Sequence, residues 1–367
     1  MQERSAPPLV LLAAGGTGGH LFPAQALADA LSKRSIPVAL ATDRRAAHYD
    51  FPAQSVHVIP SATVRGRDPL SLMRTAFTLA RGVMSAYSLI GVVRPSVVVG
   101  FGGYPTVPPL YAAILRGVPT VLHEQNGVMG RANKFLAGRV SAIATGFAQV
   151  QKLDPSLAAK TTFTGNPIRP AVVAASRSPF IAPDLAGAFR LVVFGGSQGA
   201  QVMSDVVPAA IEKLDPALRA RLFVVQQARP EDLDRVRETY ARLGVQAETG
   251  SFIADLPPRL ASAHLVISRS GASTVAELAA IGRPAILVPL PHALDQDQRA
   301  NAGVLEQAGG AIRLEQKDFT PDRLAAEMTA LAGNPKRLSV MANAAKSAGT
   351  VDAAERLADL VLRIAAI

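Results

Sequence analysis

The chain has 367 residues, 49% of them hydrophobic and 18% charged, which supplies apolar material for two large cores and excludes a disordered protein. It has no cysteine, so disulfides, thiolate metal sites and cysteine nucleophiles are excluded. The formal charge of +10 is unevenly placed: residues 1–165 hold 16 Lys+Arg against 7 Asp+Glu, and residues 166–367 hold 22 against 21.

Met1 to Pro8 lacks the basic start and cleavage site of a secretory signal, so the protein is expected in the cytoplasm and Leu9 to Ala14 reads as a strand. The stretch LVLLAAGGTGGH, Leu9 to His20, is an apolar run of the kind buried on both faces of a parallel sheet, stopped by glycines. A helix over Leu21 to Leu31 follows, with Pro23 near its start. A Gly-rich strand-to-helix turn exposes backbone N–H groups and a positive helix end, which suits an anionic group close to the main chain. The same turn also serves simple close packing of helix and strand.

Val38 to Thr42, Val56 to Pro60, Val97 to Val99, Thr120 to Leu122 and Ser141 to Thr145 read as further strands alternating with helices, a doubly wound pattern. Between the third and fourth β-runs of the half lies Leu70 to Val93, apolar for much of its length. Arg74 and Arg81 argue against a membrane span, because each would cost several kcal/mol in hydrocarbon. Seven residues apart, they share a helix face, with Leu72, Met73, Phe77, Leu79, Met84 and Tyr87 supplying apolar surface for core or for a lipid interface. Across residues 61–139, nine basic side chains stand against two acidic ones. That field draws an anionic membrane, each basic residue near the leaflet contributing about 1 kcal/mol, or nucleic acid. Nucleic acid is disfavoured by the lack of an arginine-rich tract and by aromatics at only 5%.

The pattern starts again at Arg190. LVVFGGSQGA, Leu191 to Ala200, repeats the opening logic, and Leu222 to Gln226, Ala247 to Ser251, Leu265 to Ser268 and Ala285 to Pro289 add strands. Two Rossmann-like domains are therefore expected, joined through the Pro-rich stretch Gly165 to Leu185, with a ligand at the carboxyl ends of the strands. A final amphipathic helix is expected over Ser347 to Ala366.

Neither glycine turn spells G-x-G-x-x-G. Asp43 follows the second strand, where a dehydrogenase acid would meet a ribose, and Arg44 and Arg45 would suit a phosphorylated cofactor, but nothing downstream supplies a hydride-transfer partner. The histidines show no metal-ligand spacing, and Ser197 lacks the nucleophile-elbow motif, so metal and serine-hydrolase chemistry are unsupported. Polar residues crowd instead at strand ends: FGGYPTVPP at 101–109, HEQNGVMGRAN at 123–133, SRSGASTVAEL at 268–278 and DQDQRANA at 295–302.

GGTGGH at 15–20, FGGYP at 101–105, HEQN at 123–126, GNPIR at 165–169, GGSQGA at 195–200, SRSGAST at 268–274 and DQ..R.NA at 295–302 occur in this order in the MurG family, which the chain resembles over almost its whole length. These are bacterial N-acetylglucosaminyltransferases that convert lipid I to lipid II in peptidoglycan synthesis. The resemblance implies an α/β GT-B type glycosyltransferase, two Rossmann-like domains facing across a deep cleft. It implies an acceptor and membrane-associating domain over 1–165, a UDP-GlcNAc domain over 166–346, and a C-terminal helix in 347–367 packing back towards the first domain. It also implies inverting transfer to the MurNAc 4-hydroxyl of undecaprenyl-diphosphate-MurNAc-pentapeptide, no metal and no cofactor. The enzyme would sit peripherally on the cytoplasmic face of the inner membrane, with an anionic membrane surface and cell-wall synthesis and division proteins as candidate partners and no nucleic acid. A UDP-sugar epimerase or glycolipid glucosyltransferase of the same fold would lack the pairing of HEQN with GGTGGH.

Carried over by residue, the resemblance makes His20 the candidate base and Glu124 the fallback. The donor would meet Thr17, Gly18, Gly19, Asn126, Arg169, Ser197, Gln198, Gly199, Phe252, Ile253, Gly271, Ala272, Ser273, Thr274, Glu277, Gln298 and Asn301. Within that set, Ser197 with its glycine neighbours and Arg169 take the diphosphate, Phe252 and Ile253 flank the uracil, and Glu277 takes the ribose hydroxyls. The acceptor would meet Gly15, Gly16, Gly103, Tyr104 and His123. Two departures stand out: Asp297 replaces the family's usual Gln or His, and with no Trp in the chain Phe77 or Tyr87 must supply the interfacial aromatic.

Overall fold

The computed structural model describes residues 8–16, 18–45, 49–62, 68–196 and 199–367, and the chain divides into two units. Unit 1 comprises Met1–Arg169 with Asp352–Ile367, and unit 2 comprises Pro170–Val351.

In unit 1, β1 (Val10–Ala13), α1 (Gly18–Ser32), β2 (Val38–Thr42), β3 (Ser55–Val58), α2 (Pro69–Val93), β4 (Val97–Gly100), α3 (Val107–Leu115), β5 (Thr120–Glu124), α4 (Arg131–Ala137), β6 (Ala142–Thr145) and β7 (Thr161–Phe163) follow in order. Among the described residues the strands form one parallel sheet, ordered β3-β2-β1-β4-β5-β6-β7. β1 is central and fully buried, with Leu12 in register with Leu40 on one side and Val99 on the other. Unbroken apolar runs suit this position because helices cover both faces of the sheet.

Unit 2 runs through α5 (Pro170–Ala175), β8 (Phe189–Phe194), α6 (Gln201–Glu212), α7 (Pro216–Ala220), β9 (Leu222–Gln227), α8 (Leu233–Arg242), β10 (Gln246–Gly250), α9 (Leu256–Ser262), β11 (Leu265–Ser268), α10 (Ala272–Ile281), β12 (Ala285–Leu287), α11 (Asp297–Ala308), β13 (Ala311–Arg313), α12 (Pro321–Ala332) and α13 (Pro335–Ser347). Its parallel sheet is ordered β10-β9-β8-β11-β12-β13. The chain then returns to unit 1 as α14 (Ala353–Ala365), whose Leu357, Ala358, Leu360 and Val361 are buried in one core with Leu27 and Leu31 of α1. Arg34 pairs with Glu355 and Asp359 on the same helix at 2.9 and 2.5 Å.

Two expected elements differ. α1 starts at Gly18 rather than Leu21, so Gly18, Gly19 and His20 form its first turn. The helix expected over 347–366 starts only at Ala353, because α13 ends at Ser347 and Gly349 runs against the α10 backbone, where a Cβ would lie 2.7 Å from the Ala279 carbonyl carbon.

α2 is capped by Asp68, whose side chain accepts from Ser71 N at 2.8 Å. It docks through the stripe Gly82, Ala86 and Ile90, all buried. Gly82 is required there because a Cβ would stand 2.1 Å from the Pro60 carbonyl oxygen. By length and composition Met73–Val93 could cross a membrane, and only 17% of its most apolar stretch is buried. Met73, Phe77, Met84, Tyr87 and Val92 are exposed, as are Arg74 and Arg81; the Leu72 side chain lies outside the described residues.

Candidate active site

In unit 1 the candidate residues gather at the carboxyl end of the sheet. Gly16 has φ +85° and its N–H donates to Asp43 Oδ1 at 3.2 Å, so the acid after β2 anchors the first glycine turn. The other Asp43 oxygen accepts from Arg45 at 2.7 Å (Nε) and 2.6 Å (Nη2). Asp43 is thus engaged by the turn and the arginine, and the ribose role considered from sequence is not how it is used. Arg45 Nη2 lies over the turn, 3.3 Å from where a Gly16 Cβ would stand. Thr17 lies outside the described residues.

His20, in the first turn of α1, places Nδ1 3.3 Å from Gln125 Oε1. Its Nε2 faces Gly103 (φ +72°), 3.3 Å from the position of a Cβ there. Tyr104 follows in a short helical turn, and Thr106 fixes that loop by donating to the carbonyls of Gly102 and Ala13.

Side chains alternate along the end of β5. Glu124 is 1% exposed and accepts four hydrogen bonds: from Asn126 N, Asn126 Nδ2, Gly130 N and Asn133 Nδ2, at 2.9, 3.2, 2.8 and 2.7 Å. Burial pushes its carboxyl up and the four donors pull it back. Its oxygens thereby tie the 126–133 loop to the end of β5. His123 is fully buried, its Nε2 on the Gly165 carbonyl at 3.1 Å and its ring against Phe101, so it ties β5 to the GNPIR segment. Arg169 stacks on Phe22, its guanidinium carbon 4.7 Å from the ring centroid.

Burial holds His123 down to about 4, and burial with Arg190, Arg283 and Arg221 nearby holds His264 to about 4. These rings stay neutral in the fold while the unfolded chain takes up protons below the ordinary value of 6.5. Their contribution is therefore complete above pH 6.5 and lost as pH falls towards 4. For His123 the loss is about 2 kcal/mol at pH 5. Urea midpoints at pH 7.5 and pH 5 should drop less for His123→Gln than for the wild type; an equal drop contradicts the assignment.

In unit 2 the second glycine turn repeats the first. Gly195 N donates to Gln227 Oε1 at 3.0 Å, and a Cβ on Gly195 would lie 2.3 Å from Ala200 N. Two residues after Gln227, as Arg45 follows Asp43, Arg229 lies beside Gly199, its Cγ 3.0 Å from a Cβ there, with its guanidinium held by Asp232 and Glu231. From sequence, Arg45 was connected only with a phosphorylated cofactor, and Arg229 was not singled out. The shared offset from the second strand of each sheet is the sequence signal that could have found them. Ser197 and Gln198 lie outside the described residues.

Gly271, Ala272, Ser273 and Thr274 form the N-terminus of α10, and Glu277 sits one turn on, 6% exposed. Ser270 stitches this turn to α11: its Oγ donates to the Gln298 carbonyl at 2.7 Å, and its carbonyl accepts from Asn301 Nδ2 at 3.2 Å. Asn301 is fully buried, and its amide holds the backbone of the loop. Gln298 Oε1 accepts from Leu290 N at 3.0 Å. Asp295 and Gln296 both have positive φ, +65° and +58°, conformations costly for non-glycine residues that concentrate at ligand clamps. Phe252 is 74% exposed after β10, next to Ile253, open to stack on a planar ring. Among the described residues, no group of three or more His, Asp or Glu is arranged to hold a metal ion.

Residues 10–145 match the glycosyltransferase family 28 N-terminal domain and residues 190–357 the family 28 C-terminal domain. The UDP-N-acetylglucosamine--N-acetylmuramyl-(pentapeptide) pyrophosphoryl-undecaprenol N-acetylglucosamine transferase of Rhodopseudomonas palustris (strain BisB18) is 62% identical over 99% of this chain and 98% of its own length. The protein of the same name from Nitrobacter winogradskyi is 61% identical over 98% of each. A crystal structure of Acinetobacter baumannii MurG superposes with a TM-score of 0.77 at 27% identity, over 97% of this chain and 100% of that one. The UDP-GlcNAc 2-epimerase of Neisseria meningitidis, at 13% identity and a TM-score of 0.66 over 97% of this chain and 100% of that one, shares the fold alone. The fold is that of the GT-B glycosyltransferases.

Proposed function

The chain belongs to glycosyltransferase family 28, and from that membership we propose the reaction in full: inverting transfer of GlcNAc from UDP-GlcNAc to the MurNAc 4-hydroxyl of undecaprenyl-diphosphate-MurNAc-pentapeptide. The observation that carries this reading is the full-length identity to relatives named for that transfer. His20 Nε2 takes the proton of the acceptor hydroxyl as its oxygen bonds to C1 of GlcNAc, and the C1–O bond to the β-phosphate breaks with its electron pair leaving on UDP. Charge developing on the diphosphate is met by the Gly195–Ala200 segment of unit 2, with Ser197, Gln198 and Gly199.

Unit 2 contributes further donor contacts: Phe252 and Ile253 at the uracil, Glu277 at the ribose hydroxyls, and Gly271 to Thr274 with Gln298 at the sugar. Unit 1 contributes Gly15, Gly16, Gly103 and Tyr104 to the acceptor. Glu277→Ala should raise the KM for UDP-GlcNAc about tenfold or more, the worth of a charge-assisted hydrogen bond; an unchanged donor KM places Glu277 elsewhere. The test of the stereochemistry is the product linkage: NMR should show a β-linked disaccharide, and an α linkage rejects inversion.

The enzyme acts peripherally at the cytoplasmic face of the inner membrane. Support comes from the exposed apolar side chains of α2, from Arg116 stacked 3.8 Å over the Tyr87 ring, and from Tyr111 stacked on Phe135, which also carries Arg139. Apolar side chains beside arginines suit the headgroup boundary of an anionic leaflet. Liposome flotation should show salt-sensitive binding to anionic vesicles, weakened by Phe77→Asp; failure to float rejects this siting.

A further inference from the structure

The Phe101 carbonyl at the end of β4 accepts a hydrogen bond from Gln125 Nε2 at 2.7 Å. A carbonyl has no proton to give, so the amide nitrogen of Gln125 faces it and the amide oxygen faces His20. That oxygen in turn only accepts, so the proton between it and His20, across 3.3 Å, belongs to Nδ1 of the imidazole. Little freedom remains to reverse this arrangement. Gln125 is 2% exposed, its own carbonyl accepts from Asn166 Nδ2 at 2.9 Å, and Phe101 N is bonded to the Ala13 carbonyl at 2.9 Å.

We infer that Gln125 is the positioning residue that fixes His20 as the Nδ1–H tautomer, so that the basic lone pair lies on Nε2, the nitrogen turned towards Gly103. This rests on the reading of His20 as the base. In the transfer, Nε2 gains the acceptor's hydroxyl proton and the imidazolium keeps its Nδ1–H on the amide oxygen. Gln125 itself gains and loses nothing. A neutral amide suits this role where a carboxylate would not, because one side chain must donate to the Phe101 carbonyl while accepting from the ring. In the other tautomer Nε2 would carry a hydrogen and could not act as a base, and holding a ring nitrogen in the productive tautomer is worth orders of magnitude in other enzymes.

The test uses the full chain labelled with 15N-histidine, the His20 signals assigned by their loss in His20→Asn. Above the titration of the ring, long-range 1H–15N spectra should show Nδ1 protonated and Nε2 unprotonated. Gln125→Met, of similar shape but without the amide, should shift the population towards Nε2–H and lower kcat about tenfold or more with an unchanged KM for UDP-GlcNAc. Gln125→Glu keeps an oxygen that can accept from Nδ1 and should retain more of the Nδ1–H signature than Gln125→Met, and thermal melting of both variants separates a folding defect from a change of tautomer. A wild-type ring that reads Nε2–H, or a Gln125→Met protein that keeps both the Nδ1–H signature and full kcat, overturns the inference. If His20→Ala keeps its kcat while the wild-type ring reads Nδ1–H, the base reading fails and the tautomer assignment stands.

Discussion

Replacing His20 by alanine lowers kcat by ~10² or more and leaves the KM for UDP-GlcNAc within about twofold, because the lost group acts on the acceptor's proton in the transition state and not on the nucleotide. The expectation follows from position. The first turn of α1 puts the ring at the carboxyl end of the unit 1 sheet, Gln125 holds one nitrogen, and the other is turned towards Gly103. Steady-state kinetics with both substrates varied checks it. A variant with near-normal kcat removes His20 from the chemistry, and a loss confined to donor KM makes it a binding residue.

Replacing Arg283 by methionine destabilises unit 2 by about 3 kcal/mol or more, the cost of leaving several buried acceptors without donors. Arg283 is 1% exposed, and its guanidinium donates to six carbonyls: Leu260 and Ala261 in the last turn of α9, Ile281 and Gly282 at the end of α10, and Ser178 and Pro179 after α5. Helix ends leave carbonyls without intrahelical donors and carry partial negative charge, so one buried cation serves three segments at once. Burial lowers it to about 10, still protonated at neutral pH, and Lys346 grips the neighbouring carbonyls of Ser176 and Ala280. Hydrogen exchange of the α10 amides reports the effect locally. Exchange should accelerate strongly in the methionine variant and less in Arg283→Lys, whose ammonium satisfies fewer carbonyls; unchanged exchange in both contradicts the account.

How far the sequence reaches differs between scaffold and site. β2 and β11 were readable to the residue because strands buried on both faces are unbroken apolar runs between turn residues. β7 (TTF) and β13 (AIR) were missed: each is three residues long at a sheet edge and incompletely buried, so neither length nor hydrophobicity distinguishes it from loop. The start of α14 at Ala353 rather than Ser347 was hidden for another reason. Gly349 is one glycine in a helix-favouring run, and only its approach to the α10 backbone reveals its purpose. At HEQN the cluster itself was legible and its division of labour was not. Strand alternation puts His123 and Gln125 on one side and Glu124 and Asn126 on the other. What each side chain holds depends on the Gly165 carbonyl, 42 residues from His123, and on Gly130 and Asn133 in the following segment. His20 itself lies outside the cluster, brought to Gln125 by the first turn of α1.

The most direct measurement of the central claim is transfer of radiolabelled GlcNAc from UDP-GlcNAc to a short-chain lipid-linked MurNAc-pentapeptide, run beside the same acceptor lacking the 4-hydroxyl. The account predicts one labelled sugar per intact acceptor with release of one UDP, and no label in the 4-deoxy acceptor. No incorporation into the intact acceptor, or equal incorporation into both, would contradict it.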